Sequence, residues 1–234
     1  MTTRLGNVLI TGGASGLGLA TVKAVTAHGG TPLVLDVNPL PAELDAGIAY
    51  TQCDLADTGA VDAAVRALAE QVDGRLDGVF TAAGTDACGK LDDVAVKDWE
   101  RVIHVNLLGT AAVVRSALPY LKASGGRIVT CASTLGIKAV SDATAYCASK
   151  FGVVGFSRAL AAELAGEVGV TTLIPGGMHT AFFDNRLDQY KPPPDAKLNQ
   201  PENVAETVVF ALSQPAGSEV RELVVCAPTE SSWP

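Results

Sequence analysis

The chain has 234 residues, 48% of them hydrophobic and 18% charged, enough apolar material for one sizeable core in one domain over 1–234. Its formal net charge of −8 is spread without acidic blocks, which argues against nucleic acid as a partner. Cys53, Cys88, Cys131, Cys147 and Cys226 form no Cys-x-x-Cys, and His28, His104 and His179 have no metal-ligand spacing. No metal is therefore expected, and reduced thiols point to the cytoplasm. No apolar run reaches the ~18 residues of a membrane span, and residues 1–6 have no signal-peptide character, so no membrane association is expected.

Residues 7–11 are a short apolar run that predicts a buried strand. It leads into Gly12-Gly13-Ala14-Ser15-Gly16-Leu17-Gly18 and then an apolar helix from Leu19. Glycines at 12, 16 and 18 let the backbone turn and let a diphosphate approach, and the helix behind them aims its free N–H groups at the anion. No Lys-Ser or Lys-Thr follows, which argues against a Walker loop. A second strand at 31–36 ends in Asp36, eighteen residues beyond Gly18. An acid at that distance suits a ribose diol and repels a 2′-phosphate, so NAD is expected over NADP. The alternative for Asp36 is a turn acid. A third strand is expected at 48–53, followed by a helix whose apolar face is Val61, Ala64, Val65, Leu68 and Val72. The fourth strand is expected at 76–81 and a long helix at 96–121, with Pro119 in its last turns. The fifth strand, 127–132, leads into Ser133.

A helix is expected at 143–164. Tyr146 and Lys150 lie four apart on it and share one face, so the ammonium is expected to lower the phenol pKa and make it a usable acid and base. Ser133 is placed to hold a substrate oxygen against the same phenol, the alternative being a strand-end turn hydroxyl. A sixth strand at 168–174 and a seventh at 220–226 complete the series. Apolar strands alternating with amphipathic helices predict an α/β fold, a doubly wound parallel sheet of about seven strands with helices on both faces. Ligands on such sheets bind beyond the carboxyl ends of the strands.

The segments Thr11 to Gly18, Asp36, Asp54, Gly84, Asn106, Ser133, Tyr146, Lys150 and Pro175-Gly176-Gly177-Met178-His179-Thr180 occur in an order and spacing that resemble the short-chain dehydrogenase/reductase family. The resemblance runs over about residues 7–227 and implies a Rossmann-like fold. It implies that Tyr146 is the acid/base, that Lys150 tunes it and holds the nicotinamide ribose, and that Ser133 polarises the substrate carbonyl. It further implies that Asn106 fixes a water in a proton relay, with a purely structural amide network as the alternative. Asp54 with Leu55 is implied at the adenine, and Ala83 with Gly84 beside the cofactor. Ser15 and Leu17 join the glycines at the phosphates, and Pro175, Gly176 and Thr180 grip the carboxamide. One departure is Thr81-Ala82-Ala83-Gly84 where the family commonly has Asn-Asn-Ala-Gly; Thr81 is the candidate to replace a lost hydrogen bond.

The expected activity is NAD-dependent interconversion of a secondary alcohol and a ketone. Alternatives are a 3-hydroxyacyl thioester or a steroid- or polyketide-type substrate, and a non-catalytic NAD-binding regulator. Substrate-side residues are expected in Thr134, Leu135, Gly177, Met178, Phe182 and Phe183, with 176–200 acting as a mobile lid or a fixed cap. The resemblance implies a homodimer or homotetramer.

Overall fold

The computed structural model describes residues 5–44 and 47–233; the reading of residues 1–4 lies outside them. Strands β1 (Asn7–Thr11), β2 (Thr31–Asp36), β3 (Ala49–Gln52), β4 (Gly78–Thr81), β5 (Arg127–Cys131), β6 (Gly169–Pro175) and β7 (Glu222–Val225) form one sheet in the order β3-β2-β1-β4-β5-β6-β7. Every neighbouring pair is parallel. The helices are α1 (Gly16–Ala27), α2 (Thr58–Glu70), α3 (Val96–Ile103), α4 (Thr110–Ser124), α5 (Thr144–Glu163) and α6 (Pro201–Leu212).

Alternation along the strands divides the core between the two faces of the sheet. Leu9, Leu33, Val79 and Ile128 pack with Val61, Val65 and Leu68 of α2, Val113 and Leu121 of α4 and Leu160 of α5. Their neighbours Val8, Ile10, Val34, Phe80 and Val129 pack with Val22 and Val25 of α1 and Val204 and Val208 of α6 on the other face. Both faces are covered, which is why the strands read as continuous apolar runs. The chain reverses its direction of winding between β1 and β4, and there the carboxyl ends of the strands open a crevice.

Strand boundaries fall within about two residues of the expected ones, the ordinary scatter of element ends, while α1 starts at Gly16 rather than Leu19 and so takes in the end of the glycine loop. The long helix differs in kind. It runs from Val96 to Ser124, but a π-helical turn at His104–Gly109 separates α3 from α4. Gly109 in that turn lies against Leu55, where a Cβ would come 2.7 Å from the leucine Cβ. Pro119 is accommodated inside α4, which ends at Gly125 in the left-handed region (φ 64°). By length and composition alone, Val96–Ser124 is apolar enough to cross a membrane; here it packs against α2 and α5. His28 caps α1 and sits 3.0 Å from Glu206, and His104 is exposed.

Candidate active site

The carboxyl ends of the strands open into one cavity of about 1110 Å³. Of the residues singled out in the sequence for cofactor, catalysis or substrate, all but Asn106 line it.

At one end lies the glycine loop. Gly12 has φ +70°, and a Cβ there would meet Ala83 Cα at 2.8 Å. At Gly18 a Cβ would sit 2.0 Å from the Gly12 carbonyl oxygen, so the loop folds this tightly only with glycine at both positions. Ser15, the extended residue before α1, makes no side-chain cap, which leaves the first-turn N–H groups and its hydroxyl for an anion. Asp36, 8% exposed, accepts from the Ala14 N–H at 2.9 Å and the Asn38 N–H at 2.8 Å. These bonds fix its carboxylate at the cavity edge and leave lone pairs for two hydroxyls. Asp54 accepts from the Ala56 N–H at 3.0 Å and pairs with Arg101 at 3.0 and 3.3 Å. Burial pushes its carboxyl up, but the Ala56 N–H and the Arg101 guanidinium outweigh burial and hold it below the usual carboxylate range. The residues present fit a dinucleotide.

The loop after β4 is braced differently from the expectation. Thr81 does not compensate for the missing asparagines: it is 1% exposed, and its Oγ1 has no hydrogen-bond partner among the described residues. The brace comes from across the ladder, where Thr11 Oγ1 accepts from the Ala83 N–H at 3.1 Å. Asn106 supplies the rest, accepting from the Thr85 N–H at 2.8 Å and donating to the Thr85 carbonyl at 2.9 Å and to Ser149 Oγ at 3.0 Å. Its amide is thus held by protein partners behind the cavity wall. A Cβ built on Gly84 would lie 3.5 Å from Asn106 Oδ1 and 3.7 Å from Lys150 Nζ, so these three residues form one junction.

The centre of the cavity holds Ser133, Tyr146 and Lys150. Ser133 caps a 3₁₀ turn, accepting from the Leu135 N–H at 3.1 Å. Lys150, 4% exposed, lies 5.6 Å from the Tyr146 ring centroid and donates to the Cys131 carbonyl at 2.8 Å. The expected direction of the tyrosine shift is reversed. Burial, then Cys131 and the Asp86 carboxylate, push the phenol above its ordinary value, and the Ser133 hydroxyl and Arg186 offset only part of this. Lys150 is itself pushed down by burial, with Cys131 and Asp86 opposing. Shared helical face placed the ammonium beside the ring, but its N–H groups turn to a carbonyl and desolvation decides the sign.

Segment 176–200 roofs the centre. Phe182 stands 5.7 Å centroid to centroid from Tyr146, and Phe183 packs edge-on against Phe182 at 5.6 Å. Arg186 lies over both phenylalanine rings and pairs with Asp86. Thr180 reaches back to the glycine loop, 3.4 Å from where a Gly16 Cβ would be. Met178 bridges Asn199, which folds the segment on itself, and His179 does not line the cavity. Cys88 sits 3.1 Å from Asp86, and burial together with that carboxylate pushes its thiol up to about 12, so it is no nucleophile at neutral pH. Two features carried no sequence signal. One is the Asp86–Arg186 pair, a hundred residues apart. The other is the run 229–232 after β7, which lines the cavity and is tied to Gly177 and Thr134. Neither has a periodicity or a spacing by which to find it.

A switch-point crevice, a glycine loop at a helix start and a Ser-Tyr-Lys centre define a dinucleotide-binding oxidoreductase of the α/β class. The chain belongs to the short-chain dehydrogenase family: the family model described as short chain dehydrogenase matches residues 6–191. It is 35% identical over 224 residues to D-threitol dehydrogenase of Mycolicibacterium smegmatis, covering 89% of this chain and 86% of that one. It is 32% identical over 249 residues to the short-chain dehydrogenase/reductase olcF of Penicillium canescens, covering 97% and 95%. The crystal structure of levodione reductase superposes with a TM-score of 0.83 at 27% identity, covering 96% of this chain and 97% of that one. The family acts on alcohols and ketones with a nicotinamide cofactor and small-molecule substrates.

Proposed function

We propose that the protein is an NAD-dependent oxidoreductase that interconverts a secondary alcohol and a ketone. The observation that carries this reading is the meeting of the Gly12–Gly18 cradle, Asp36 and the Ser133-Tyr146-Lys150 centre in one cavity. Gly12, Ser15, Gly16, Leu17 and Gly18 would hold the diphosphate, and Asp36 the adenosine ribose. Asp54 and Leu55 would hold the adenine, Ala83, Gly84 and Lys150 the nicotinamide ribose, and Pro175, Gly176 and Thr180 the carboxamide. When bound, NAD supplies the hydride acceptor. Asp36, already drawn to the loop by the Ala14 N–H, favours NAD because its charge repels a 2′-phosphate.

Tyr146, as phenolate, takes the hydroxyl proton of the alcohol. Ser133 donates to the same oxygen and holds it against the phenol. Lys150 stabilises the phenolate and passes the proton on. Asn106 is a positioning residue that ties Thr85 to α5 and keeps the Lys150 end of the relay in place. Thr134, Leu135, Gly177, Met178, Phe182 and Phe183 form the substrate side, with 176–200 as its cap, and the similarity to a threitol dehydrogenase supports an alcohol of modest size. We further infer a cytoplasmic homodimer or homotetramer acting as one domain.

Nicotinamide absorbance with NAD and with NADP, over a panel of secondary alcohols, tests the reading. Reduction of NAD in preference to NADP, abolished in Tyr146→Phe while NADH still binds, is the expected result. Full turnover in Tyr146→Phe overturns the mechanism, and a preference for NADP overturns the role of Asp36.

A further inference from the structure

The run 229–232 after β7 brings a chain of polar groups to the cavity wall. Glu230 Oε2 accepts from the Gly177 N–H at 2.8 Å. Its Oε1 accepts from the Ser232 N–H at 3.1 Å and from the Ser232 hydroxyl at 2.6 Å. Ser232 Oγ in turn lies 2.6 Å from Thr134 Oγ1, and Thr134 directly follows Ser133.

The count of protons fixes which way these bonds point. Burial pushes the Glu230 carboxyl up, but the bonds from Ser232 and Gly177 outweigh it and hold it below the usual range. At neutral pH it is a carboxylate and only accepts. The single hydroxyl proton of Ser232 goes to Glu230, so the contact with Thr134 must be donated by Thr134. Thr134 then has no proton left, so its hydroxyl oxygen and the remaining acceptor site of Glu230, both on residues that line the cavity, can only accept. Ser133, the next residue back, is the donor in the centre. Donor and acceptors therefore line the same cavity.

We propose that Thr134, Ser232 and Glu230 form a hydroxyl-recognising subsite, and that the substrate is an uncharged polyol or sugar with a hydroxyl beside the reacting carbinol. The proposal rests on the oxidoreductase reading above. The reacting oxygen lies on Ser133 and Tyr146, and the neighbouring hydroxyl donates to Thr134 or Glu230. Phe182, beside Tyr146, offers an apolar face to the C–H side of the carbon chain. A carboxylate or phosphate at that point would meet acceptors only and the Glu230 charge. Arg186 and Arg101 on the cavity wall are paired with Asp86 and Asp54, so the exposed Lys197 of the cap is the lining cation a charged substrate would have to reach instead.

The test compares a butane-1,2,3,4-tetrol, butan-2-ol and 3-hydroxybutyrate as substrates for the wild type, Glu230→Gln and Thr134→Val. Binding of the tetrol to the protein–NADH complex is followed in parallel by calorimetry, and folding by thermal melts. Wild type is expected to favour the tetrol over both other probes. Its kcat/KM ratio of tetrol to butan-2-ol is expected to fall about tenfold or more in each variant, mainly through KM, as for loss of a hydrogen bond to a charged acceptor or its relay. Thr134→Val, nearly isosteric, keeps the test open if Glu230→Gln fails to fold. An unchanged ratio, a preference for 3-hydroxybutyrate, or a tetrol that neither binds nor reacts overturns the subsite. Tetrol binding that is lost in the variants, without turnover of any alcohol, upholds the subsite and overturns the oxidoreductase reading instead.

Discussion

Thr81→Val is expected to stabilise the protein. Across the sheet, Thr11, Thr81 and Thr130 stand in register on β1, β4 and β5. Thr11 Oγ1 accepts from the Ala83 N–H, and Thr130 Oγ1 bonds Ser157 Oγ at 2.6 Å. Thr81, equally buried, bonds nothing among the described residues. A buried hydroxyl without a partner costs ~1–3 kcal/mol of lost hydration. Valine removes that cost, puts a methyl group in the same space and suits a central strand. Relaxation around the new methyl takes back part of the gain, so a net stabilisation of ~1–2 kcal/mol is expected, which is about 2–8 °C in Tm for a chain of this size. Thr11→Val, an identical chemical change one strand away, is expected to destabilise by ~1–3 kcal/mol because it orphans the Ala83 N–H. Melting curves by circular dichroism, with and without NADH, measure both. The reasoning fails if Thr81→Val lowers Tm, or if the two variants shift it in the same direction.

Gly18→Ala is expected to weaken NADH binding at least about tenfold, ~1.4 kcal/mol, because the new methyl would overlap the Gly12 carbonyl, which is backbone and must move. Fluorescence titration checks it, and an unchanged Kd would mean the loop tolerates the displacement. Alcohol oxidation is expected to gain rate with pH. The Tyr146 phenol is raised, so its base form is the minor one and grows about tenfold per unit between about pH 7 and 9. Ketone reduction, which uses the protonated phenol, should show no such rise. A plateau of the oxidation profile at neutral pH would mean that Lys150 outweighs burial once the cofactor is in place.

How far the site could be read from the chain follows from where each contact lies. The glycine loop and the Tyr146–Lys150 pair are local: a few residues set their geometry, so spacing suffices. The strands were legible because a parallel sheet buried on both faces leaves unbroken apolar runs. Asp36 was legible as an acid at a strand end, but not its two backbone amides. The direction of the Tyr146 shift was not legible, because burial is made by segments such as 176–200 that no helical spacing reveals. The inert Thr81 and the working Thr11 carry the same side chain, and only the register between their strands separates them. The 229–232 wall meets Thr134 across 98 residues, with no pattern in either partner. The π turn was read as plain helix, since its residues favour one winding as readily as the other.

That turn constrains how the gene can change. A π turn holds one residue more than an α turn would, so removing one residue inside it closes the turn to α and keeps both flanks in phase, whereas removing one from α3 or α4 leaves part of the helix rotated by about 100°. Asn106 must stay on Thr85 and Ser149 while Val113, Val114, Ala117 and Leu121 stay in the core, and only a deletion that spares Asn106 and falls within the turn satisfies both ends at once. The exposed residues of this stretch are open to substitution, and its length can change at the π turn alone: along α3 and α4 point changes can accumulate where single-codon deletions cannot.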